Sequence, residues 1–239
     1  MSHQYFGITA LALIGVLWGA PGCDGLQDDG DGTRQTNIQF GKATQKWPQV
    51  GELLSNHRCT GTLIAPNAVL TAAHCISSAA TMFHVDKDGA RTSYNITTQV
   101  GHPSYSGATC PTSADIAVMR LAEPIPGSFL QPMGIDRAPE QGDRCTAVGY
   151  GRHNDGVFTV VSGTKREAMV WVDEVTDNSV NVKFGDGITD AGDSGGPLLH
   201  EGRVAGVVSC GLWTAGETQY TRADVFSDWV DEVVRSFQN

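Results

Sequence analysis

Charge is scarce in this chain, and positive charge is the scarcer kind. Only 18% of the 239 residues are charged, and 16 Lys and Arg stand against 26 Asp and Glu, for a formal net charge of −10. A chain this acidic repels the phosphate backbone, so we expect no nucleic-acid partner. Such a composition also disfavours long solvent-facing helices, whereas 29 Gly and 10 Pro suit many short strands joined by tight turns.

Long hydrophobic runs are lacking beyond the first residues of the chain. Phe6–Ala20 is a run of 15 apolar or small residues, which is short for a bilayer span and lies where a signal-peptide core belongs. No Lys or Arg precedes this run, and a buried N-terminal helix is therefore the alternative. We predict a signal peptide over residues 1–22 and export of the protein.

The segment that follows the hydrophobic run has two interpretations. Ala20-Pro21-Gly22-Cys23-Asp24 resembles a bacterial lipoprotein processing site, in which Cys23 becomes a lipid-anchored N-terminus. The alternative is an ordinary leader that is cleaved nearby. The protein is then either attached to the cell envelope as a lipoprotein or secreted. Residues 23–37 are rich in Asp, Gly and Gln, and they are predicted to form a linker or pro-segment.

Metal-binding cysteine spacing is also absent. The six cysteines include no Cys-x-x-Cys pair, and six cysteines in an exported chain indicate disulfides rather than a zinc site. We therefore expect no metal and no organic cofactor. The rest of the chain contains no internal repeat and no heptad pattern, which predicts one globular unit.

Three segments carry residues suited to nucleophilic catalysis. They read Thr-Ala-Ala-His-Cys at 71–75, Asp-Ile-Ala at 115–117 and Gly-Asp-Ser-Gly-Gly-Pro at 192–197. A serine hydroxyl is a weak nucleophile until an imidazole takes its proton, and the imidazole needs a carboxylate to hold its tautomer. His74, Asp115 and Ser194 are therefore the candidate catalytic residues.

The order of these residues distinguishes between two hydrolase classes. Gly192-x-Ser194-x-Gly196 also satisfies the nucleophile-elbow pattern of α/β-hydrolases, in which Ser precedes His. Here the order is His, Asp, Ser. Through these three blocks, residues 38–239 resemble the trypsin/chymotrypsin family of serine endopeptidases, and the leader suggests a bacterial-type exported member.

This resemblance implies an all-β fold with two six-stranded antiparallel β-barrels and a closing C-terminal helix. The N-terminal barrel is expected over residues 38–135, and the C-terminal barrel with the helix over 136–239. Cys59 to Leu70 is predicted to form a strand, a turn at Pro66-Asn67 and a second strand. Apolar residues at helical spacing, from Val225 to Phe237, predict the helix.

The resemblance also assigns roles around the serine. Gly192 and Ser194 are expected to supply the backbone N–H groups of an oxyanion hole. Ser209 and Gly211 fall in the segment that pairs with the substrate backbone. Six residues before Ser194, Ile188 occupies the floor of the specificity pocket. An uncharged floor favours small or apolar side chains, although Asp186 and Asp190 are close enough to offer a carboxylate from a shifted loop.

Activation in this family depends on a new N-terminus buried beside an aspartate. The corresponding residues are Ile38 and Asp193, although Ile38-Gln39-Phe40-Gly41 departs from the family's Ile-Val-Gly-Gly. The resemblance further implies a disulfide between Cys59 and Cys75. We also predict a Cys110 to Cys210 disulfide, which leaves Cys145 free or differently paired.

The expected protein is a monomeric serine endopeptidase that acts on protein or peptide substrates. Two alternatives stay open at this point. One is a catalytically silent relative that serves as a protein-binding module, since the Ile38 segment and the pocket are atypical. The other is an esterase that uses the same three residues.

Overall fold

Short antiparallel strands are the main regular structure among the residues that the structure, a computed structural model, describes. These residues are 41–54, 57–76, 80–107, 114–154, 160–183, 185–212 and 216–238. They contain fifteen strands and two helices. Within them, no helix is long and apolar enough to cross a bilayer.

Six strands in the first half of the chain close into a barrel. Its ring order is β2-β3-β4-β7-β6-β5, and each neighbouring pair is antiparallel. The interior is filled by fully buried side chains that include Leu53, Leu63, Phe83 and Met119. The elements of this half are β1 (Lys42–Ala43), β2 (Val50–Leu54), β3 (Cys59–Ala65), β4 (Ala68–Thr71), α1 (Ala73–Ile76), β5 (Met82–Lys87), β6 (Ala90–Gly101) and β7 (Ala117–Leu121).

The second half of the chain forms another barrel of the same kind. The ring β8-β11-β12-β15-β14-β13 is closed because β13 pairs with β8, and β1 adds to it along β11. Tyr220 and Leu198 are fully buried within it. Its strands are β8 (Arg144–Gly149), β9 (His153–Asn154), β10 (Val160–Val161), β11 (Arg166–Val175), β12 (Ser179–Lys183), β13 (Pro197–His200), β14 (Arg203–Leu212) and β15 (Glu217–Arg222).

These two closed barrels confirm the predicted fold class. The strand-turn-strand prediction is also confirmed, because β3 and β4 are joined by the turn at Pro66-Asn67. The predicted boundary at residues 135 and 136 falls between the last strand of the first barrel and the first strand of the second. Ile135 already forms a bridge with Val204 of the second barrel.

The predicted C-terminal helix is present as α2 (Ser227–Ser236), which is shorter than the apolar pattern from Val225 to Phe237. Val230 and Val233 are buried on its inner face, and the Arg120 guanidinium on β7 lies over the ring of Phe237. Val225 was assigned to this face but is 42% exposed. The helix begins after it, so the helical periodicity does not extend to that position.

The cysteines divide into bonded and free. Cys59 and Cys75 form the predicted disulfide across 16 residues of chain. Cys145 is free and buried, and burial raises the pKa of its thiol to about 12. Cys210 is disulfide-bonded. Because Cys110 lies outside the described residues, the Cys110 to Cys210 pairing stays a prediction.

Candidate active site

The one-turn helix α1 carries His74 at the end of β4. The disulfide from Cys75 to Cys59 anchors this turn to the start of β3. The imidazole is 31% exposed, so one side of the ring is accessible from solvent while the backbone is held within the barrel. An accessible ring on a fixed backbone suits a group that exchanges protons with a bound substrate.

Asp115 lies directly against His74. Its carboxylate is 1% exposed, and its Oδ2 is 2.8 Å from Nδ1 of the imidazole. Its Oδ1 accepts the backbone N–H of His74 at 2.9 Å. Strand β7 begins at Ala117, two residues after Asp115. The carboxylate therefore belongs to the turn before β7.

Two side chains of the second barrel also hold Asp115, and sequence reasoning missed both interactions. The Ser209 hydroxyl donates to Oδ2 at 2.7 Å, and the Thr221 hydroxyl donates to the backbone carbonyl of Asp115 at 3.1 Å. Ser209 was assigned only to the substrate-pairing segment. It is 94 residues away from Asp115 in the chain, and no local motif signals such a contact.

The backbone around Ser194 is held beside the disulfide that follows His74. Its carbonyl accepts the N–H of Thr60 at 2.8 Å and lies 3.6 Å from the sulfur of Cys75. The next residue, Gly195, has a φ of +79°, and a Cβ there would lie 2.0 Å from the Thr71 hydroxyl. This position therefore requires glycine.

The loop before Ser194 keeps two backbone donors available. Gly192 has a φ of +104°, and its carbonyl accepts the Thr60 hydroxyl at 2.9 Å. Among the described residues, the N–H groups of Gly192 and Ser194 have no acceptor. Two such donors can stabilise an oxyanion that develops next to the serine.

Asp193 is buried completely beneath this loop. Its carboxylate accepts the backbone N–H groups of Gly151 and Asp190, both at 2.8 Å. Burial raises the pKa of Asp193 to about 7, although these two N–H groups and the more distant Arg166 favour the charged form. Ile38, its predicted partner, lies outside the described residues. The ion pair between the two therefore stays a prediction.

The buried carboxylate explains two glycines that the sequence analysis did not single out. A Cβ at Gly149 would lie 2.0 Å from Oδ1 of Asp193, and a Cβ at Gly151 would lie 2.4 Å from its Oδ2. Both distances are far below contact. The pattern Gly-x-Gly in the second barrel was the available signal, but it indicated no partner by itself.

The predicted specificity pocket has no carboxylate at its floor position. Ile188 is 8% exposed, and its neighbour Thr189 forms a hydroxyl-hydroxyl hydrogen bond of 2.8 Å with Thr218, both side chains being buried. Thr218 pairs with Gly211 between β14 and β15. Thr189 and Thr218 are further residues that sequence reasoning missed.

The two acidic residues considered for this pocket have other contacts. The Asp190 carboxylate accepts the backbone N–H of Ala191. Asp186 is exposed and lines a cavity of about 730 Å³ together with Lys42, Lys46 and Arg144. The residue after Ile188 thus contributes a buried hydroxyl, and the Asp190 carboxylate is bonded within its own loop.

One group of metal-ligand types occurs among the described residues. Cys59, His74 and Cys75 bring one ligand atom each to within 4.8 Å of one another. The two sulfurs are bonded to each other, so they are not available as thiolates. His74 is therefore the one residue of this group that could bind a metal ion.

Comparisons with known proteins agree with this geometry. The trypsin family model matches residues 38–230. A vitellin-degrading protease of Bombyx mori is 29% identical over 76% of this chain and 78% of its own length. A trypsin of Simulium vittatum is 27% identical over 89% and 94% of the two chains. Chymotrypsin-C of Bos taurus is 28% identical over 74% and 78%.

These relatives come from animals, and they give no support to the expectation of a bacterial-type member. The region that the family model matches contains both barrels and all three candidate catalytic blocks. The protein belongs to the trypsin family of serine endopeptidases.

Proposed function

We propose that His74, Asp115 and Ser194 act together to hydrolyse peptide bonds through an acyl-enzyme. The observation that carries this proposal is the 2.8 Å contact between Nδ1 of His74 and Oδ2 of Asp115. With Nδ1 bound in this way, the other ring nitrogen is the one that can accept the proton of the Ser194 hydroxyl.

The reaction then proceeds in two displacement steps. The Ser194 oxygen attacks the substrate carbonyl as His74 takes its proton, and the N–H groups of Gly192 and Ser194 stabilise the oxyanion. The C–N bond breaks as His74 passes its proton to the leaving amine. Water, activated by the same imidazole, attacks the ester and releases the acid, which restores the Ser194 hydroxyl.

A serine-directed fluorophosphonate tests this proposal. We expect the mature protein to incorporate one phosphonate per chain and to lose activity against denatured casein in proportion. Ser194→Ala should do neither, whereas Ser104→Ala, which changes an exposed serine, should behave like the parent protein.

Three results would contradict the proposal in different ways. Labelling that persists in Ser194→Ala would place the nucleophile elsewhere. A folded parent protein that neither labels nor cleaves any substrate would favour the protein-binding alternative. Turnover of esters, without cleavage of any peptide in a broad library, would favour the esterase alternative.

We propose that this enzyme prefers substrates with a small or apolar side chain directly before the cleaved bond. The supporting observations are the uncharged Ile188 and the Thr189–Thr218 hydroxyl pair. In a series of peptide p-nitroanilides we expect kcat/KM for Ala or Leu to exceed that for Arg by at least about tenfold. Ile188→Asp should raise the Arg-to-Leu ratio. Preference for Arg in the parent protein would overturn this assignment.

Activation is proposed to follow cleavage before Ile38, whose new ammonium group would pair with Asp193. The support is the complete burial of Asp193. Removing one partner of a buried pair leaves an uncompensated charge at a cost of about 3–5 kcal/mol, so the precursor should be inactive. N-terminal sequencing of active protein tests this: a start at Ile38 supports it, and full activity of a longer form refutes it.

Export is proposed on the basis of the apolar run Phe6–Ala20. The same sequencing experiment distinguishes the two fates that were considered. In the precursor before activation, a lipid-modified start at Cys23 would show an anchored lipoprotein, and a free start beyond Cys23 would show a secreted protein. A monomer is expected by light scattering in either case.

A further inference from the structure

A basic cavity borders the loop that is proposed to hold the oxyanion. It has a volume of about 280 Å³ and opens next to Gly192. Among the described residues, the titratable side chains that line it are all basic, although the chain as a whole carries a net charge of −10. The lining residues are His57, Arg58, Arg152, Ser162, Ala191 and Gly192.

Arg58 is held in a fixed position at this cavity. Its Nη1 donates to Oε1 of Glu52, whose side chain is fully buried. Oε2 of the same carboxylate accepts a hydrogen bond from Arg91 at 2.9 Å. Arg91 is also paired with Asp86 through two hydrogen bonds, so Glu52 fixes the position of Arg58 and serves as its counter-ion. The Arg58 side chain remains 45% exposed.

Arg152 supplies a second positive charge at the same place. Its backbone N–H donates to the carbonyl of Ala191 at 2.8 Å, which ties it to the loop that contains Gly192. Among the described residues, no carboxylate lies within 4.0 Å of its guanidinium. Both side chains are exposed, and only Arg58 has a carboxylate partner in the described part of the chain, so the unpaired charge of Arg152 beside a second guanidinium favours an anion in the cavity.

The surroundings of the cavity indicate which part of a substrate would reach it. Arg58 directly precedes Cys59, which is bonded to the cysteine after His74, the proposed proton donor to the leaving amine. None of the lining residues belongs to β14 or β15, and Ile188 is not among them. Since Ser209, Gly211 and Ile188 are expected to hold the residues before the cleaved bond, a cavity that contains none of them is left for the residues after it.

We propose that this cavity binds a substrate carboxylate located one to three residues after the cleaved bond, and that the enzyme selects peptides by this contact. The inference rests on the function proposed above. The carboxylate has two sources, an Asp or Glu side chain or the free C-terminus of a short peptide. Arginine recognises both through paired N–H donors.

The test compares peptides that differ at one position. Cleavage sites are first mapped by mass spectrometry in denatured casein, and the best site is made as internally quenched, C-terminally amidated peptides. These carry Glu, Gln or Lys at the first, second or third residue after the cleaved bond. At one of these positions we expect kcat/KM for Glu to exceed that for Lys by about 5- to 20-fold, and the ratio to shrink in 1 M NaCl.

Variants connect this preference to the arginines. Arg152→Glu should invert the Glu-to-Lys ratio, and Arg58→Gln should reduce it. Arg137→Gln, which changes an exposed arginine outside the cavity, should leave the ratio unchanged. All rates are divided by the fraction of protein that reacts with the phosphonate. If the arginine substitutions lower kcat/KM only for peptides with a free C-terminus, the bound group is the terminal carboxylate.

Two outcomes overturn the inference without affecting the proposed catalytic residues. One is a ratio of kcat/KM for Glu to kcat/KM for Lys that lies within twofold of one at all three positions, together with no increase in kcat/KM when the peptide has a free C-terminus. The other is a ratio that Arg152→Glu does not change. Hydrolysis of p-nitroanilides, which have no residue after the cleaved bond, reports on the proposed catalysis separately. A parent protein that hydrolyses no p-nitroanilide would instead contradict the proposed function.

Discussion

Asp115 holds His74 at two atoms, with one carboxylate oxygen on the imidazole and the other on the backbone. The distances are 2.8 Å from Oδ2 to Nδ1 and 2.9 Å from Oδ1 to the backbone nitrogen. The ring is therefore oriented relative to its own main chain, and the carboxylate cannot rotate without losing one of the two contacts.

This double contact predicts the effect of Asp115→Asn. The amide oxygen must face the backbone N–H of His74, since the amide nitrogen cannot accept a hydrogen bond. The amide N–H then donates to Nδ1 and forces the proton to the other ring nitrogen, which can no longer accept from Ser194. We expect kcat to fall about 10,000-fold with the fold intact, as measured by steady-state kinetics and circular dichroism. Asp173→Asn, at a surface ion pair, is the control. A loss below tenfold would contradict this account.

Ser209 is predicted to contribute through Asp115. Ser209→Ala removes a 2.7 Å hydrogen bond to Oδ2, which at about 1.4 kcal/mol corresponds to about tenfold in kcat. Ser227→Ala removes a comparable bond to the Asp224 carbonyl at the start of α2 and should leave kcat unchanged. Equal kcat values for Ser209→Ala and the parent protein would show that the bond has no catalytic role.

Gly151→Ala is predicted to disturb both folding stability and catalysis. The new methyl group would lie 2.4 Å from the buried carboxylate of Asp193, so the loop that carries Gly192 must shift. We expect a loss of about 1–3 kcal/mol in urea unfolding and a fall in kcat. Gly127→Ala is the matched control, because that glycine is exposed and its nearest neighbour is the flexible amide of Gln131. Unchanged stability and turnover in Gly151→Ala would show that the close approach of Gly151 to Asp193 is not required.

His84 predicts a pH dependence of stability. Burial, aided by Arg91 and opposed by Glu52 and Asp86, lowers the pKa of His84 below its ordinary value of 6.5. Below pH 6.5 the unfolded chain binds a proton at His84 that the native state binds less readily, so stability falls as pH falls. Above pH 6.5 both states are neutral there, and the effect vanishes.

Replacement of this histidine isolates its contribution. His84→Gln cannot titrate, so its free energy of unfolding should fall less than that of the parent protein between pH 7.5 and pH 5. Urea unfolding at several pH values measures the difference. Parallel curves for the two proteins would show that His84 does not contribute to acid destabilisation.

Resemblance and local pattern predicted different amounts of this structure. The two closed barrels followed from the family resemblance, because strand periodicity alone does not determine which strands pair. The turn at Pro66-Asn67 and the body of α2 followed from local residue types, which act over a few positions. The error at Val225 arose because apolar spacing does not locate the residue at which a helix begins.

The identity of the candidate reacting groups was determined by the sequence alone. His74, Asp115 and Ser194 each lie in a short block whose residue types and order can be recognised without a fold, whereas the Cys59–Cys75 disulfide followed from the family resemblance. Such information is local, since each block owes its composition to immediate backbone and side-chain requirements.

Only the tertiary structure decided what surrounds these groups. The hydroxyl of Ser209 on Asp115, the glycines against Asp193, and the approach of Arg58 to Arg152 join residues 42 to 94 positions apart in the chain. Each contact exists because two barrels close and pack together, and burial then gives the contact its strength. Pairwise distances of this kind depend on the whole fold, so no short stretch of sequence records them.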